Sequence, residues 1–406
     1  MQGQTFLAID LGTSSTKFVC GSLDREQQLH INYTTEVPTR GVRRGGITDM
    51  EEASKSIATG MDRMTQLLRQ RLPEAIFSIT STQLESCNPR GAVAIPSDRD
   101  IDASDVSRVL DVAGAVPHDG SRIILTVMPR TYIVDGQDGI KNPVGMSGHR
   151  LEVEAHVVTS MAGVSRNLEK CAERANLQVQ DLVVSSLASA EAVLAPSERE
   201  MGTVLIDIGG GICDIAIYAD GGIWRTFTMP MGGNIITDDI AYVLHLPIPV
   251  AEELKITYGC ATPGRISDKE TIDLGQFLHA CKDVVSRRTL AEIIYFRLEE
   301  MLGQIRDEIL RSGRERVLAG GVVITGGTAE LVGITEVAAA VFDVPVRIGA
   351  PHSLYGATDT IVRPAFATAV GLLRWHEHDL RNIAETTRQT WWQFLLSKLS
   401  RLIIGR

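Results

Sequence analysis

A two-lobed α/β fold, with a small inserted α+β unit and an amphipathic helix at the C-terminus, is what this sequence predicts, and three observations carry the prediction. Residues 6–20, FLAIDLGTSSTKFVC, and residues 203–218, TVLIDIGGGICDIAIY, read alike. Each is a β-rich apolar run ending in aspartate, a turn rich in glycine or hydroxyls, and a returning β-rich run, the pattern of a hairpin. The two aspartates, Asp10 and Asp207, lie 197 positions apart, the length of a domain. Helical and strand-like segments alternate around both hairpins, as in α/β proteins. The likeness covers only the hairpins, so a duplicated lobe is an inference from two short segments.

Composition agrees with a globular chain. Of the 406 residues 44% are apolar and 22% charged, enough for a large core and two to three domains at about 150 residues each. The net charge of −10 argues against a general nucleic-acid binder. Six scattered cysteines form no C-x-x-C pair and fit a reducing compartment. The N-terminus lacks the charge and apolar run of a signal peptide, and no apolar run reaches transmembrane length, so a cytosolic protein is expected unless something attaches it to a membrane.

After the first hairpin, residues 50–72 carry apolar residues at helical spacing. From about Leu84 to Thr159 a different block follows: a loop rich in Pro and Asp, a short helix at Ala103–Ala113, and alternating strands at RIILTVMPRTYIV and RLEVEAHVVTS. It reads as an α+β unit inserted into the first lobe. Residues 165–177 and 185–196 are amphipathic helices, the second stopped by Pro196. Beyond the second hairpin come turn and helix signals at MPMGGNIITDDIAYVL. A polar stretch from Thr262 to Asp273 then leads to a long helix at 289–313 with Gly313 as its C-cap. GGVVITGG (320–327) is a buried-type strand entering a glycine turn, and PAFATAVGLLRWH is the last globular helix.

Phosphate oxygens need closely spaced backbone N–H groups, which small residues permit. The first turn nominates Gly12, Thr13, Ser14 and Ser15; the second nominates Gly209, Gly210 and Gly211. Lys17, on the returning strand, would neutralise a β-phosphate, and the third turn, with Gly326 and Gly327, would approach the sugar or α-phosphate. Asp10 and Asp207 beside a triphosphate suit a Mg²⁺ held through water. One such turn alone would be an ordinary hairpin. None of the three is a Walker A or G-x-G-x-x-G motif.

Residues 391–406, WWQFLLSKLSRLIIGR, place Trp391, Trp392, Leu395, Leu396, Leu399, Leu402 and Ile403 within about 140° of a helix, and Phe394 widens that face. Lys398 and Arg401 lie outside the arc, and no acidic residue occurs in the stretch. A basic, Trp-rich helix behind a polar linker fits the surface of an anionic membrane. The alternative is a helix docked on the protein's own core.

The order DLGTSST, DIGGG, TGG resembles the phosphate-1, phosphate-2 and adenosine motifs of the actin superfamily, which has a duplicated, ribonuclease H-like fold, and SSLASAEAVL and PAFATAVGLL sit where that superfamily has its two connecting helices. Residues 129–159 (with IKNPVGMSG), MPMGGNIITDDIA, VITGGTAELVGITEVAAAVFDVPVRIGAP and the amphipathic tail are similar to the FtsA family, over nearly the whole chain. The resemblance implies an actin-like two-lobed ATPase fold. Residues 1–83 would form the first lobe's N-terminal part, 84–160 the inserted subdomain and 161–200 the rest of that lobe. Residues 201–363 would form the second lobe and 364–376 the connecting helix back. A linker at 377–390 and the membrane helix at 391–406 would follow.

It further implies an ATP-binding scaffold that polymerises with itself, tethers FtsZ to the inner face of the cytoplasmic membrane at the septum, and recruits later divisome proteins. Glu252 and Lys255 would lie against adenine; as residues alone they could equally be a solvated i, i+3 pair. Arg288 and Arg297, on the long helix, would meet the acidic C-terminal peptide of FtsZ; as residues alone, Arg297 could pair with Glu300. Active relatives place a Gln or Glu where this sequence has Leu187, and leucine cannot orient water. Glu191, one turn on, reads as solvated. Hydrolysis is therefore expected to be slow or vestigial, with Asp207 the remaining catalytic carboxylate. A pilus-assembly relative of the PilM type and a small-molecule phosphotransferase share the core motifs, but neither accounts for the tail.

Overall fold

The computed structural model describes residues 5–24, 28–116, 120–277, 283–313, 319–357 and 359–378. The amphipathic stretch 391–406 and the linker beyond residue 378 lie outside them.

The two hairpins are the centres of two sheets with one topology. In the first lobe Thr5–Leu11 pairs antiparallel with Ser15–Leu23, which pairs antiparallel with Leu29–Pro38; on its other side Thr5–Leu11 is parallel to Glu74–Ile79, followed by Gln178–Val184. In the second lobe Thr203–Ile208 has antiparallel Cys213–Ala219 and then Gly222–Met229 on one side, and parallel Val322–Thr325 and Val346–Ile348 on the other. The likeness therefore extends to five strands per lobe. The hairpin strands are buried on both faces, with Leu7, Ala8, Ile9, Val204, Leu205 and Ile206 at 1% exposure or less. That explains why they read as continuous apolar runs rather than alternating ones.

The inserted block forms its own sheet. Arg122–Val134 and Arg150–Met161 run antiparallel, flanked by Gln137–Ile140 on one side and by Glu85–Cys87 and Arg90–Ala94 on the other. The helix Ala103–Gly114 covers it through Val109 and Ala113, with a capping box between Asp102 and Asp105. Arg99 clamps the buried Asp105 carboxylate with two hydrogen bonds of 2.5 and 2.9 Å and holds it well below the usual carboxylate range. This unit also touches the second lobe. The Ser86 hydroxyl donates to the Thr226 carbonyl (2.8 Å), Asn88 donates to the Trp224 carbonyl (2.8 Å), and the Arg130 guanidinium lies 4.6 Å from the Trp224 ring centre. The buried His156 bridges Asn88 and Thr226 at 2.8 and 3.2 Å, and burial pushes its pKa down to about 3.

Several helix limits differ from the sequence reading. The first helix is Met50–Leu68, not 50–72: Arg69 turns left-handed, and Leu72 precedes a proline, which disfavours helical backbone there. The helix expected at 165–177 is Ala162–Arg174, after which Asn176 takes the left-handed position and Leu177 turns into the core. The helix expected to stop at Pro196 is Ser185–Val193, and Pro196 instead begins a further short helix, Pro196–Met201. The last globular helix starts as a 3-10 turn at Pro364–Phe366 and runs through 367–378, two residues into the expected linker. The long helix is Arg287–Arg311, with Gly313 left-handed just beyond it.

Ser185–Val193 and the helix 367–378 link the lobes and cross at Gly371, where a Cβ would lie 1.8 Å from the Ala188 carbonyl oxygen. Only glycine permits that approach, and backbone on the other side leaves no flexible side chain to yield. Gly371→Val should therefore cost about 3 kcal/mol or more. Urea unfolding would show it as a lower midpoint, and an unchanged midpoint would contradict the observed crossing.

Candidate functional site

The cleft between the lobes holds a cavity of about 410 Å³. Its wall includes Asp10, Gly12, Thr13, Ser14, Ser15 and Lys17 from the first lobe, and Asp207, Gly209, Gly210, Glu252, Lys255, Gly326 and Gly327 from the second. All three glycine-containing turns thus reach one space. Gly211 does not line it: a Cβ there would lie 2.8 Å from Thr13 Oγ1, so this residue seats one turn on the other behind the cavity. Gly210 is equally crowded, since a Cβ would fall 2.1 Å from Ser14 Oγ.

The carboxylates are held differently. Asp10 accepts a hydrogen bond from Ser78 (2.8 Å) and lies 3.9 Å from the Lys17 ammonium, directly opposite it in the hairpin register. Asp207 is buried. It accepts from Ser189 (2.5 Å) on one connecting helix and from Thr368 (3.0 Å) on the other, and those hydroxyls lie 2.9 Å apart. Burial raises its pKa and the charge of Asp10 adds to the rise, against the two hydroxyls. Asp214, which the sequence reading did not nominate, stands opposite Asp207, as Lys17 stands opposite Asp10. It accepts from Thr80 of the first lobe (2.7 Å) and Thr228 of the second (2.6 Å). Burial pushes its pKa up to about 7. The signal was present: Lys17 and Asp214 each follow their aspartate by seven residues. Among the described residues no three His, Cys, Asp or Glu side chains converge closely enough to hold a metal directly.

Other groups complete the wall. Thr13 Oγ1 is buried without a hydrogen-bond partner among the described residues. Asn234, at the start of the helix Gly233–Leu244, accepts from Ser14 at 3.3 Å, and Thr328 donates to the Gly209 carbonyl at 3.0 Å. Glu252 and Lys255, on the helix Ile248–Tyr258, do pair at 2.7 Å, but Lys255 is largely buried and also donates to the Gly233 carbonyl (3.0 Å) and Thr237 (2.7 Å). The pair is part of the wall rather than a solvated face. Arg363 and Glu330, also lining the cavity, pair at 2.6 Å.

Leu187 is 1% exposed and belongs to the core, whereas Ser185 is the residue of its helix that lines the cavity. Glu191 is not solvated: its side chain is 9% exposed and pairs with Arg199 at 2.7 Å. The arginines of the long helix are not free either. Arg288 bonds Asp268, and Arg297 bonds Glu300 (2.7 Å) and Asp239, which lies on the helix Gly233–Leu244. Arg287 bonds Glu270 at 2.8 Å. The intrahelical pairing with Glu300 is therefore present, with a cross-helix partner added.

The raised pKa of Asp214 makes a sign-definite prediction. Between about pH 4 and 7 the folded chain holds a proton on Asp214 that the unfolded chain has released. Its contribution therefore lowers stability as pH rises through that window. Asp214→Asn keeps both acceptor contacts without the charge, so its unfolding free energy should fall less than wild type from pH 4 to 7. Parallel slopes for the two proteins in denaturant titrations would rule this out.

Comparison with known proteins adds the lineage. The family described as cell division protein FtsA matches residues 204–371, and the SHS2 domain inserted in FtsA matches residues 81–159. The chain is 38% identical over 371 residues to the cell division protein FtsA of Pseudomonas aeruginosa, covering 91% of this chain and 89% of that one. It is 33% identical over 391 residues to that of Escherichia coli K12, covering 94% and 93%. Among solved structures it resembles the PilM–PilN type IV pilus biogenesis complex (TM-score 0.65, 15% identity, 92% of this chain and 98% of that one). It also resembles MreB5 of Spiroplasma citri bound to ADP (TM-score 0.53, 14% identity, 94% and 98%). At these identities the structural neighbours establish an actin-like fold. The fold and its inserted unit, together with sequence identity over more than nine-tenths of the length, make the chain a member of the FtsA family of cell division proteins.

Proposed function

We propose that this member of the FtsA family is an ATP- and Mg²⁺-binding actin-like scaffold. It polymerises, tethers FtsZ filaments to the inner face of the cytoplasmic membrane during septum assembly, and recruits later division proteins. The observation that carries the nucleotide part is the meeting of three glycine-containing turns at one cavity that also holds an unpartnered threonine hydroxyl, Thr13 Oγ1. A phosphate oxygen is the acceptor that hydroxyl lacks. Among the described residues no third histidine, cysteine or carboxylate joins Asp10 and Asp207 to hold a metal directly, which suits an ion that keeps its waters. Bound there, Mg²⁺ would neutralise the phosphates and relieve the repulsion between the carboxylates. Lys17 would hold the phosphate chain, and Lys255 and Glu252 would flank the base end. The ADP complex of the Spiroplasma neighbour has the same fold and supports this reading.

Turnover is expected to be slow. Leu187 is a core residue, and Ser185 offers a hydroxyl but no base. The FtsZ peptide is acidic, so contact at Arg288 or Arg297 would require exchange with Asp268, Asp239 or Glu300. The likeness to PilM is one of fold, and 33–38% identity to FtsA proteins favours the division role.

Two outcomes test the reading. Saturating MgATP at about a hundred times its Kd should stabilise the chain by about 2.7 kcal/mol. A thermal melt would report the rise, and Asp207→Ala or Gly210→Val should abolish it; an equal rise in both variants would remove the nucleotide site from this cavity. For the tail, Trp391→Glu with Leu399→Glu should detach the protein from anionic liposomes without lowering the melting temperature. Lys398→Glu with Arg401→Glu should weaken binding mainly at low salt, because exposed charges are screened over about 10 Å at 0.1 M. Undiminished sedimentation of a chain lacking residues 391–406 would show that the anchor lies elsewhere.

A further inference from the structure

Beside the nucleotide cavity lies a second one, of about 540 Å³, whose wall shares Leu11, Gly45 and Thr80 with the first. Its lining contains no aspartate or glutamate, although the whole chain carries a net charge of −10. It does contain Arg43 and Arg44. Both side chains are exposed, and among the described residues neither has an ion pair or hydrogen-bond partner, unlike the arginines of the long helix. They sit on a small hairpin, Val42–Arg43 with Gly46–Ile47, whose turn holds Arg44 at φ 47° and Gly45 at φ 73°. A left-handed arginine is uncommon, since that region favours glycine and asparagine. The backbone here keeps a long cationic side chain where glycine or asparagine would be less strained.

Two further features face the same space. Ser81 and Thr82 contribute hydroxyls, whereas that of Thr80 is given to Asp214. The helix Ala162–Arg174 begins at this wall with no side-chain cap at Met161, and its first-turn residues Gly163 and Val164 line the cavity. An uncapped first turn carries donor N–H groups and a positive dipole end. Val42, Ile47, Val164 and Leu168 add apolar surface to the same lining. Two free guanidinium groups, an uncapped helix start and an acid-free lining form a receptor for a doubly charged oxyanion.

We propose that this second cavity binds a small phosphate-bearing anion through Arg43 and Arg44, beside the nucleotide and separately from it. Its position couples it to the cleft. The hairpin turn touches the second lobe's phosphate turn, for a Cβ at Gly45 would lie 3.2 Å from the Ile212 side chain and one at Gly211 the same distance from the Arg44 nitrogen. An anion held by the arginines would therefore stiffen the contact between the lobes at the phosphate end of the first cavity.

The test uses the full chain saturated with the non-hydrolysable ATP analogue AMPPNP, so that the first cavity is filled and no phosphate is generated. Orthophosphate and phenyl phosphate are titrated separately by calorimetry at constant ionic strength, with chloride as the control anion. Saturable binding of one phosphate per chain is expected. It should weaken by roughly tenfold or more in Arg43→Gln with Arg44→Asn, a pair that removes both charges and leaves asparagine in the left-handed position. AMPPNP affinity and melting temperature should be unchanged in that variant. Tighter binding of phenyl phosphate would assign an ester that uses the apolar surface, and equal binding would assign the phosphate group alone. Loss of phosphate binding in wild type once AMPPNP is present would place the anion in the first cavity and overturn the proposal. Equal affinity in wild type and variant, or no saturable binding, would overturn it as well. Failure of AMPPNP itself to bind would fall on the nucleotide reading, and the arginine comparison without the analogue would still decide this one.

Discussion

The crossing of the two connecting helices is the constraint from which the site follows. Gly371 lets the helix 367–378 close onto the Ala188 carbonyl, and that approach brings Thr368 and Ser189 within 2.9 Å of each other. Both hydroxyls then donate to one oxygen of Asp207. A buried carboxylate without such donors would be costly to keep charged. The two helices that join the lobes are therefore also the groups that hold a buried acid of the cleft, and a larger residue at the crossing would disturb joint and site together.

The duplicated topology makes the one asymmetry between the hairpins informative. The same register position holds Lys17 in one lobe and Asp214 in the other. In the first lobe the returning strand places a cation beside Asp10; in the second it places another acid beside Asp207 and ties it across the cleft to Thr80. The first lobe thus offers a cation to the cavity. The second offers a carboxyl group whose pKa burial pushes up to about 7 and which bonds both lobes. Two related folds have become the unlike halves of one receptor.

Much of this was legible in the sequence because it depends on local rules. Strand, glycine turn and strand are specified by neighbouring residues, and the thirteen cavity-lining residues read from those motifs and from family resemblance stand where chain topology puts all three turns. What escaped the sequence depends on distant partners. Glu191 looked solvated because nothing nearby reveals Arg199 folding over it. Gly211 looked like its neighbours, yet it faces Thr13 of the other lobe rather than the cavity. Arg297 lost its freedom to Asp239, 58 residues away. Helix ends slipped where a left-handed Arg69 or Asn176 had no glycine to announce it.

The lobes are fastened at more than the hinge. Thr80 bonds Asp214 across the cleft, and the inserted unit, carried by the first lobe, grips the edge strand Gly222–Met229 of the second through Ser86, Asn88 and His156. His156 is wholly buried, and its low pKa keeps it neutral through the physiological range, so this attachment does not titrate. A rigid rotation of the lobes about the connecting helices would have to break these bonds, leaving buried polar groups unpaired at about 1–3 kcal/mol each. Large opening of the cleft is therefore opposed by the inserted unit itself, which holds the second lobe's edge strand through bonds that a wide lobe swing would break.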